Sequence, residues 1–580
     1  MKKWEIWALV AVAILASLVY YLPILNSGNN LGILDWDQSF AWTEYTRVSL
    51  VNFHQFPFWN PYKCGGSGQF ANPQVSVISI QTLFSVLLGT LRGIKFSIFF
   101  HGLIGFIGFY LLAKQYKLSS MGSLLASLIF SFSGITGSFL SSGMAVFTNF
   151  AYTPYILLFF NKGLDNRKWG ILSGAIFALS FYFSYQIPAV LGGYIFVFTL
   201  VTCIVKRTLA PLKTFGSMVL SATIIMLPKL FLAIQLLRVY PRPISDVSGY
   251  SLPNLIYFLL SQKQNLFNEM FIKGSYFGID ENSLYVGIIP FVLFLLFFIF
   301  NKKGLKNNLS LLIILLVFFW LMLGNLITPS LYSTLRFLPV FSFFRVAQRF
   351  RFDFIIPFAL LVGLGLDNVV RLLQKHKLAM PLAIVCIVVV YGDLTLFSDS
   401  NFLSKTLIIK NPGSTLAEAG AFYQTNSKMP DFELQRTIPL PIPFLKQSRF
   451  LPDSYEYLFV DQNMGVLHCY EPIRIEVHAS AAEDTTYKGE YYLLDPAEGV
   501  KVDNTTWSPN KLVYKISNAE KARGNTLIIN QNYLPGWIVK NNKACLRAIS
   551  VNGLVATKLD TPSDTITFEY DPLFQWYLCK

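Results

Sequence analysis

The 580-residue chain is 53% hydrophobic and only 14% charged, with a mean hydropathy of +0.48. That leaves too little polar material to cover a soluble globule of this size, so the composition excludes one and reads as a polytopic α-helical membrane protein. A net charge of +15 does not imply nucleic acid, because most lysines and arginines of the apolar part fall in short loops between hydrophobic runs, where they set topology.

The first element runs from Trp4 to Leu25, close to the roughly 20 residues that one helical crossing needs. It ends in YYLPILN, an aromatic interface belt rather than a small-residue cleavage site, and reads as a retained helix. Further apolar segments at 94–113, 121–140, 145–160, 169–187, 189–205, 215–236, 284–300, 309–328, 352–370 and 378–397 bring the expected crossings to about 11. The linkers KQYK (114–117), NKGLDNRK (161–168), KRTLAPLK (206–213), NKKGLKNN (301–308) and RLLQKHK (371–377) are basic. With Lys2 and Lys3 they place the N-terminus and these loops on the cytoplasmic side of a plasma membrane. This parity requires the mildly apolar stretch 75–91 to lie on or dip into the outer surface without crossing. The first outer loop then spans 26–93, and 237–283 and 329–351 are the other large outer segments.

The expected transmembrane domain is 1–397. After it the chain changes character: apolar runs shorten to strand length (NTLIINQN, WIVKNN, DTITFEY) between turn signals such as DNTT, SPN, LPG and PSD. Residues 398–580 therefore read as an extracytoplasmic, mostly β domain. Six cysteines show no CxxC pair, so no thiolate metal site is expected. Cys203 and Cys386 lie in apolar runs, while Cys64, Cys469, Cys545 and Cys579 fall outside the cytoplasm, with room for one or two disulfides.

Chemistry concentrates in the first outer loop. LDWDQSFAWTEY (34–45) puts Asp35 and Asp37 just past the first crossing. On an extended stretch they share a face; on a helix they diverge by about 200°. The loop continues as FHQFPFWNPYKCGGSGQFANPQ (53–74), far richer in aromatics, prolines, glycines and amides than a tether requires. Trp59 offers a ring face for a sugar or isoprenoid, and Asn60, Asn72 and Gln74 offer donors and acceptors. Arg345, Arg349 and Arg351 lie on the outer side before the tenth crossing, against the positive-inside bias. Arg345 and Arg349, four apart, are candidate phosphate clamps, while Arg351 points elsewhere on a helix. Lys229 lies within an apolar span and is a functional candidate on that ground. His101 reads as a packing histidine, and Asp280 and Glu281 read as solvated loop acids, with a second acceptor-binding pair as the alternative.

A first crossing followed by DWD and a PxWNPxxxGG…ANPQ segment resembles the YfhO-like bacterial membrane proteins, within the GT-C class of integral-membrane glycosyltransferases. SYFGIDENSLYVGIIPFVLFLL (275–296), FRVAQRFRFDFIIPFALLVGLGLD (344–367) and INQNYLPGWIVKNN (529–542) extend the resemblance over most of the chain. It implies transfer of a sugar from a polyprenyl-phosphate donor to an envelope glycan, lipid or protein acceptor, with an acid of the first outer loop as general base. One of Asp35 and Asp37 would be that base, and the other would orient the acceptor or hold a divalent cation such as Mg or Mn. Two other readings stay open: a flippase of lipid-linked glycans, which predicts charged mid-membrane helices and repeat symmetry, and a non-catalytic envelope protein whose β domain binds glycans. No P-loop, Rossmann, HExxH or GxSxG motif supports a soluble-enzyme reading.

Overall fold

The computed structural model describes residues 3–579 apart from 242–248, 265–277, 301–304, 306–307, 338–343, 345, 374–377, 412–432, 436–455, 462–463, 468, 470–472, 482–483, 496–497 and 542–543. Two compact units emerge: Met1–Trp36, Ile94–Met226 and Ile244–Ile409 form one, while Asp37–Gly93, Leu227–Pro243 and Lys410–Lys580 form the other.

The first unit is helical. Seven helices among the described residues, counted over the whole chain, are long and apolar enough to cross a membrane: Lys3–Asn26, Thr90–Gln115, Ser120–Ser141, Gln186–Lys206, Ala210–Val239, Ala347–Leu372 and Ala379–Lys405. Ile288–Phe300 and Leu309–Met322 are shorter apolar helices. Among the described residues each of the eleven expected runs carries a helix, seven of them long enough to cross alone and the others shorter. The run at 145–160 divides because a 3-10 segment, Ala145–Tyr152, hands over to the helix Thr153–Gly163 with Pro154 in its first turn, where a missing N–H costs nothing. The run at 169–187 becomes the 17-residue helix Arg167–Phe183, which ends at Ser184 in an extended conformation.

At the centre of this unit, Arg351–Leu372 is buried along most of its length. It meets Ser120–Phe132 at two glycines: a Cβ on Gly122 would stand 2.7 Å from the Gly363 carbonyl oxygen, and one on Gly363 would stand 2.5 Å from that of Gly122. Small residues at such a crossing let backbones approach where no hydrophobic effect drives helices together. By contrast, the helix Ala379–Asn401 exposes Leu382, Val385, Val388 and Leu396, as a lipid-facing surface must.

The second unit is built on two antiparallel sheets. One orders Cys545–Arg547, Trp537–Lys540, Thr565–Tyr570, Lys511–Ser517 and Lys501–Ser508; the other orders Ile549–Val551, Leu554–Lys558, Thr526–Asn532 and Tyr491–Leu493. Thr565–Tyr570 alternates buried and half-buried positions, the signature of a sheet covered on one face, whereas Thr526–Asn532 is buried at every position. Tyr45, Val48 and Tyr62 share a core with Val460, Ile528, Leu554 and Ala556, so residues from 37–93 complete the same core as the sheets. The disulfide Cys64–Cys469 closes a separation of 405 residues, and Cys545–Cys579 ties the last helical turn to a strand.

Candidate functional site

In the first unit, the chain leaves the first helix through a turn that a tryptophan pegs in place. Trp36 is fully buried, and its Nε1 donates to the Leu140 carbonyl at 2.9 Å and to Thr406 Oγ1 at 2.6 Å. Leu34 takes φ 57 just before Asp35, whose N–H donates to the Ser142 carbonyl at 2.8 Å. Gly143 makes this approach feasible: its φ is +83, and a Cβ there would stand 2.0 Å from the Trp36 nitrogen. Asp35 thus ends up half-buried beside residues 142–143.

Asp280 and Glu281 stand on the short helix Ile279–Asn282, both buried. Burial, the charge of Glu281 and the charge of Asp35 push the Asp280 carboxyl up to about 7; Arg351 and a hydrogen bond with the Ser142 side chain act in the opposite direction. Glu281 is gripped by Arg349, whose Nε lies 3.1 Å from both carboxylate oxygens and whose terminal nitrogen also donates. The Arg349 guanidinium lies over the Phe147 ring, 5.1 Å from its centroid. Arg351 is 1% exposed and donates to the carbonyls of Asp280 (2.8 Å) and Ser283 (3.1 Å). The result is three carboxylates and two guanidiniums around one turn. Arg345 lies outside the described residues.

Among the described residues no three His, Cys, Asp or Glu side chains gather as a metal-binding group. Asp35 and Asp280 supply two carboxylates to this turn, and Glu281 pairs with Arg349.

The other expected site residues fall in the second unit. Asp37 opens the helix Trp36–Val51, so it and Asp35 do not lie on one extended stretch. Its carboxylate accepts from the backbone nitrogens of Glu456 (2.9 Å) and Tyr457 (3.2 Å). Burial and the Glu456 charge push Asp37 up to about 7, against those two N–H groups and Lys63. Lys63 pairs with Glu456 at 2.8 Å. Trp59 is fully buried, donates to Gln531 Oε1 at 2.6 Å, and packs its ring against Trp537 and Tyr570. Asn60 donates to Gln69 Oε1 and accepts from the Tyr62 N–H; Asn72 accepts from the Gln74 N–H. Gln74 itself is buried. Lys229 is buried and donates to the Val75 carbonyl at 2.6 Å. His101, in the first unit, is held between the Ser97 carbonyl and the Tyr152 hydroxyl.

The expectation that loop 53–74 presents its rings and amides to a ligand meets a different use: here they build a core and turns. Sequence reasoning set Asp280 and Glu281 down as solvated and turned Arg351 away from the candidate clamp, whereas all three are buried together. The signal was present, since two acids and two arginines in consecutive outer segments are complementary charges awaiting a shared location.

No protein-family profile matches the chain, and no curated protein matches it. Among solved structures, the archaeal oligosaccharyltransferase AglB from Archaeoglobus fulgidus, in complex with an inhibitory peptide and a dolichol-phosphate, is similar at a TM-score of 0.49 and 11% identity, over 81% of this chain and 65% of that one. ArnT from Cupriavidus metallidurans bound to undecaprenyl phosphate gives 0.46 and 14%, over 80% and 90%. The arabinofuranosyltransferase AftD from Mycobacteria gives 0.47 and 13%, over 80% of this chain and 33% of that one. This chain thus spans less than two-thirds of the length of the oligosaccharyltransferase. The neighbours are GT-C glycosyltransferases, the class whose motifs the sequence resembles. At TM-scores below 0.5 the likeness assigns neither activity nor residues to this chain.

Proposed function

We propose that this chain transfers a sugar from a polyprenyl-phosphate donor to an acceptor hydroxyl on the outer face of the plasma membrane, with Asp35 as general base. The observation that carries the reading is the gathering of Asp35, Asp280 and Glu281 with the buried Arg351 and the half-buried Arg349 around one turn. A carboxylate charge beside a buried carboxyl favours the protonated form of the latter. Burial, Glu281 and Asp35 raise Asp280 to about 7, so Asp280 holds its proton over a wider pH range than a free aspartate and leaves Asp35 as the acceptor of a proton. In the step itself the acceptor oxygen attacks the anomeric carbon, the bond from that carbon to the phosphate oxygen breaks, and the acceptor proton passes to Asp35. The lipid phosphate leaves with the bonding electrons, and the field of Arg349 and Arg351 opposes its growing negative charge.

Asp37 takes a different part in this reading. With its oxygens accepting from the start of the Glu456–Asp461 helix, it is a positioning residue of the second unit, as are Trp59, Asn60, Asn72, Gln74 and Lys229.

The test is transfer from a radiolabelled polyprenyl-phosphate hexose into envelope polymer, using purified protein in nanodiscs at matched amounts. Asp35→Asn is expected to abolish transfer, and Asp37→Asn to retain it in whatever protein folds. Full transfer by Asp35→Asn would sink the assignment. Movement of labelled carrier lipid across the bilayer without new glycosidic bonds would favour the flippase reading instead.

A further inference from the structure

Two apolar surfaces of the second unit lie beside chain that enters the membrane. The helix Ile80–Leu88 is amphipathic in reverse: Gln81, Thr82 and Ser85 are buried, whereas Leu83, Val86, Leu87 and Leu88 are exposed. Only Gly89 separates it from the membrane-length helix Thr90–Gln115. The second surface is the final turn, Gln575–Leu578, where Phe574 is 70% exposed, Tyr577 44% and Leu578 84%.

This turn is fastened on two sides. Cys579 is bonded to Cys545 of the sheet, and Arg547 lies over the Trp576 ring at 4.4 Å while its Nε donates to the Trp576 carbonyl. On the other side Tyr577 meets the helix Ala210–Val239: its hydroxyl accepts from Gln235 at 2.6 Å, and its ring centroid is 6.1 Å from that of Phe231. Gln235 and Phe231 lie about 6 and 12 Å short of that helix's end at 1.5 Å per residue. A helix of 30 residues is about 45 Å long against a hydrocarbon core of about 30 Å, so centring leaves about 7 Å at each end. Tyr577 therefore sits at the level where acyl chains meet headgroups, the depth aromatic side chains prefer.

We propose that residues 574–578 seat in the bilayer rim. Phe574 and Leu578 enter the acyl region, Tyr577 stays at the headgroup boundary, and the Cys545–Cys579 disulfide holds the segment there. The occupant is lipid because the part of the helix that Tyr577 touches is itself apolar and exposed at Leu227, Phe231, Ile234 and Val239, within a helix long and apolar enough to cross a membrane. An isolated short turn would bind lipid weakly, but fixing it beside a crossing helix removes most of the entropic cost.

The experiment places the fluorescent residue dansylalanine at position 578 of the full chain in phosphatidylcholine nanodiscs, with the same residue at Lys515, an exposed strand position, as reference. Emission at 578 is expected to lie to the blue of that at 515 and to be lost when the lipids carry brominated acyl chains; the Cys545→Ser/Cys579→Ser chain should recover emission under bromine. Water-like emission at 578 would overturn the proposal. So would a blue shift that bromine leaves unquenched, which would mean a protein partner covers the turn, while quenching that persists without the disulfide would overturn the role of the bond.

Discussion

Asp280 is a carboxyl whose charge is decided by its neighbours, and the consequences can be measured. Its folded-state value, raised to about 7 by burial, Glu281 and Asp35, lies above the ordinary aspartate value of about 3.9 in an unfolded chain. The folded protein therefore binds the extra proton between those limits. The stabilisation is complete below about pH 4 and is lost as pH rises through about 7. Asp37 contributes with the same sign over the same window. Thermal unfolding in nanodiscs between pH 5 and 8 should show a falling midpoint, with a shallower fall in Asp280→Asn, which stays neutral throughout. Transfer should respond in parallel: wild type loses rate above about pH 7 as the second charge appears beside Asp35, and Asp280→Asn loses that alkaline limb while retaining activity at pH 6. An unchanged alkaline limb in Asp280→Asn would exclude Asp280 as the group that titrates.

At the scale of elements, the apolar runs were legible because a crossing helix needs only length and hydropathy, which sequence displays directly. Charge parity asks that 75–91 not cross, and the helix found there, Ile80–Leu88, is nine residues long, fewer than a crossing needs. What escaped was the division of 145–160 and the meeting of Asp35 with Asp280. Both depend on partners: residues 245 positions apart carry no local sign of contact, and an acid pair in a loop reads as solvated until something buries it. The aromatic and amide content of 53–74 misled for a related reason, since a ligand cradle and a compact core draw on the same residue types. Gly143 is where element geometry sets site geometry. An alanine there would combine φ +83 with a Cβ 2.0 Å from the Trp36 backbone nitrogen, adding strain of about 1–2 kcal/mol before the clash is counted. Gly143→Ala should lower both the unfolding midpoint and the transfer rate by displacing Asp35, whereas Gly216→Ala, with nothing within 4 Å of the added carbon, should leave both unchanged. Equal behaviour of the two variants would show that the 142–143 turn does not set Asp35.

At the scale of the whole molecule, the order of the chain and the order of the fold differ. Residues 37–93 precede most membrane helices yet fold with residues 410–580. The ties are covalent at Cys64–Cys469 and polar at Lys63–Glu456, at Trp59–Gln531, and where Asn532 Nδ2 donates to the Cys64 and Gly66 carbonyls. Composition alone starts the β domain at residue 398, because polar, strand-rich sequence begins only there. The core says otherwise: a chain ending at Ile409 would uncover Trp59, Tyr45 and Tyr62, and removing the contacts of even one such aromatic core residue costs about 3–5 kcal/mol. That single loss approaches the 5–15 kcal/mol by which a domain is usually stable. Such a truncated chain is therefore expected to accumulate poorly, with protease cutting first within 53–74. Supplying 410–580 as a separate polypeptide should restore protection only under conditions in which Cys64 and Cys469 can pair. If the truncated chain instead accumulated at wild-type levels with 53–74 resistant to protease, the shared core would not be what folds the first outer loop.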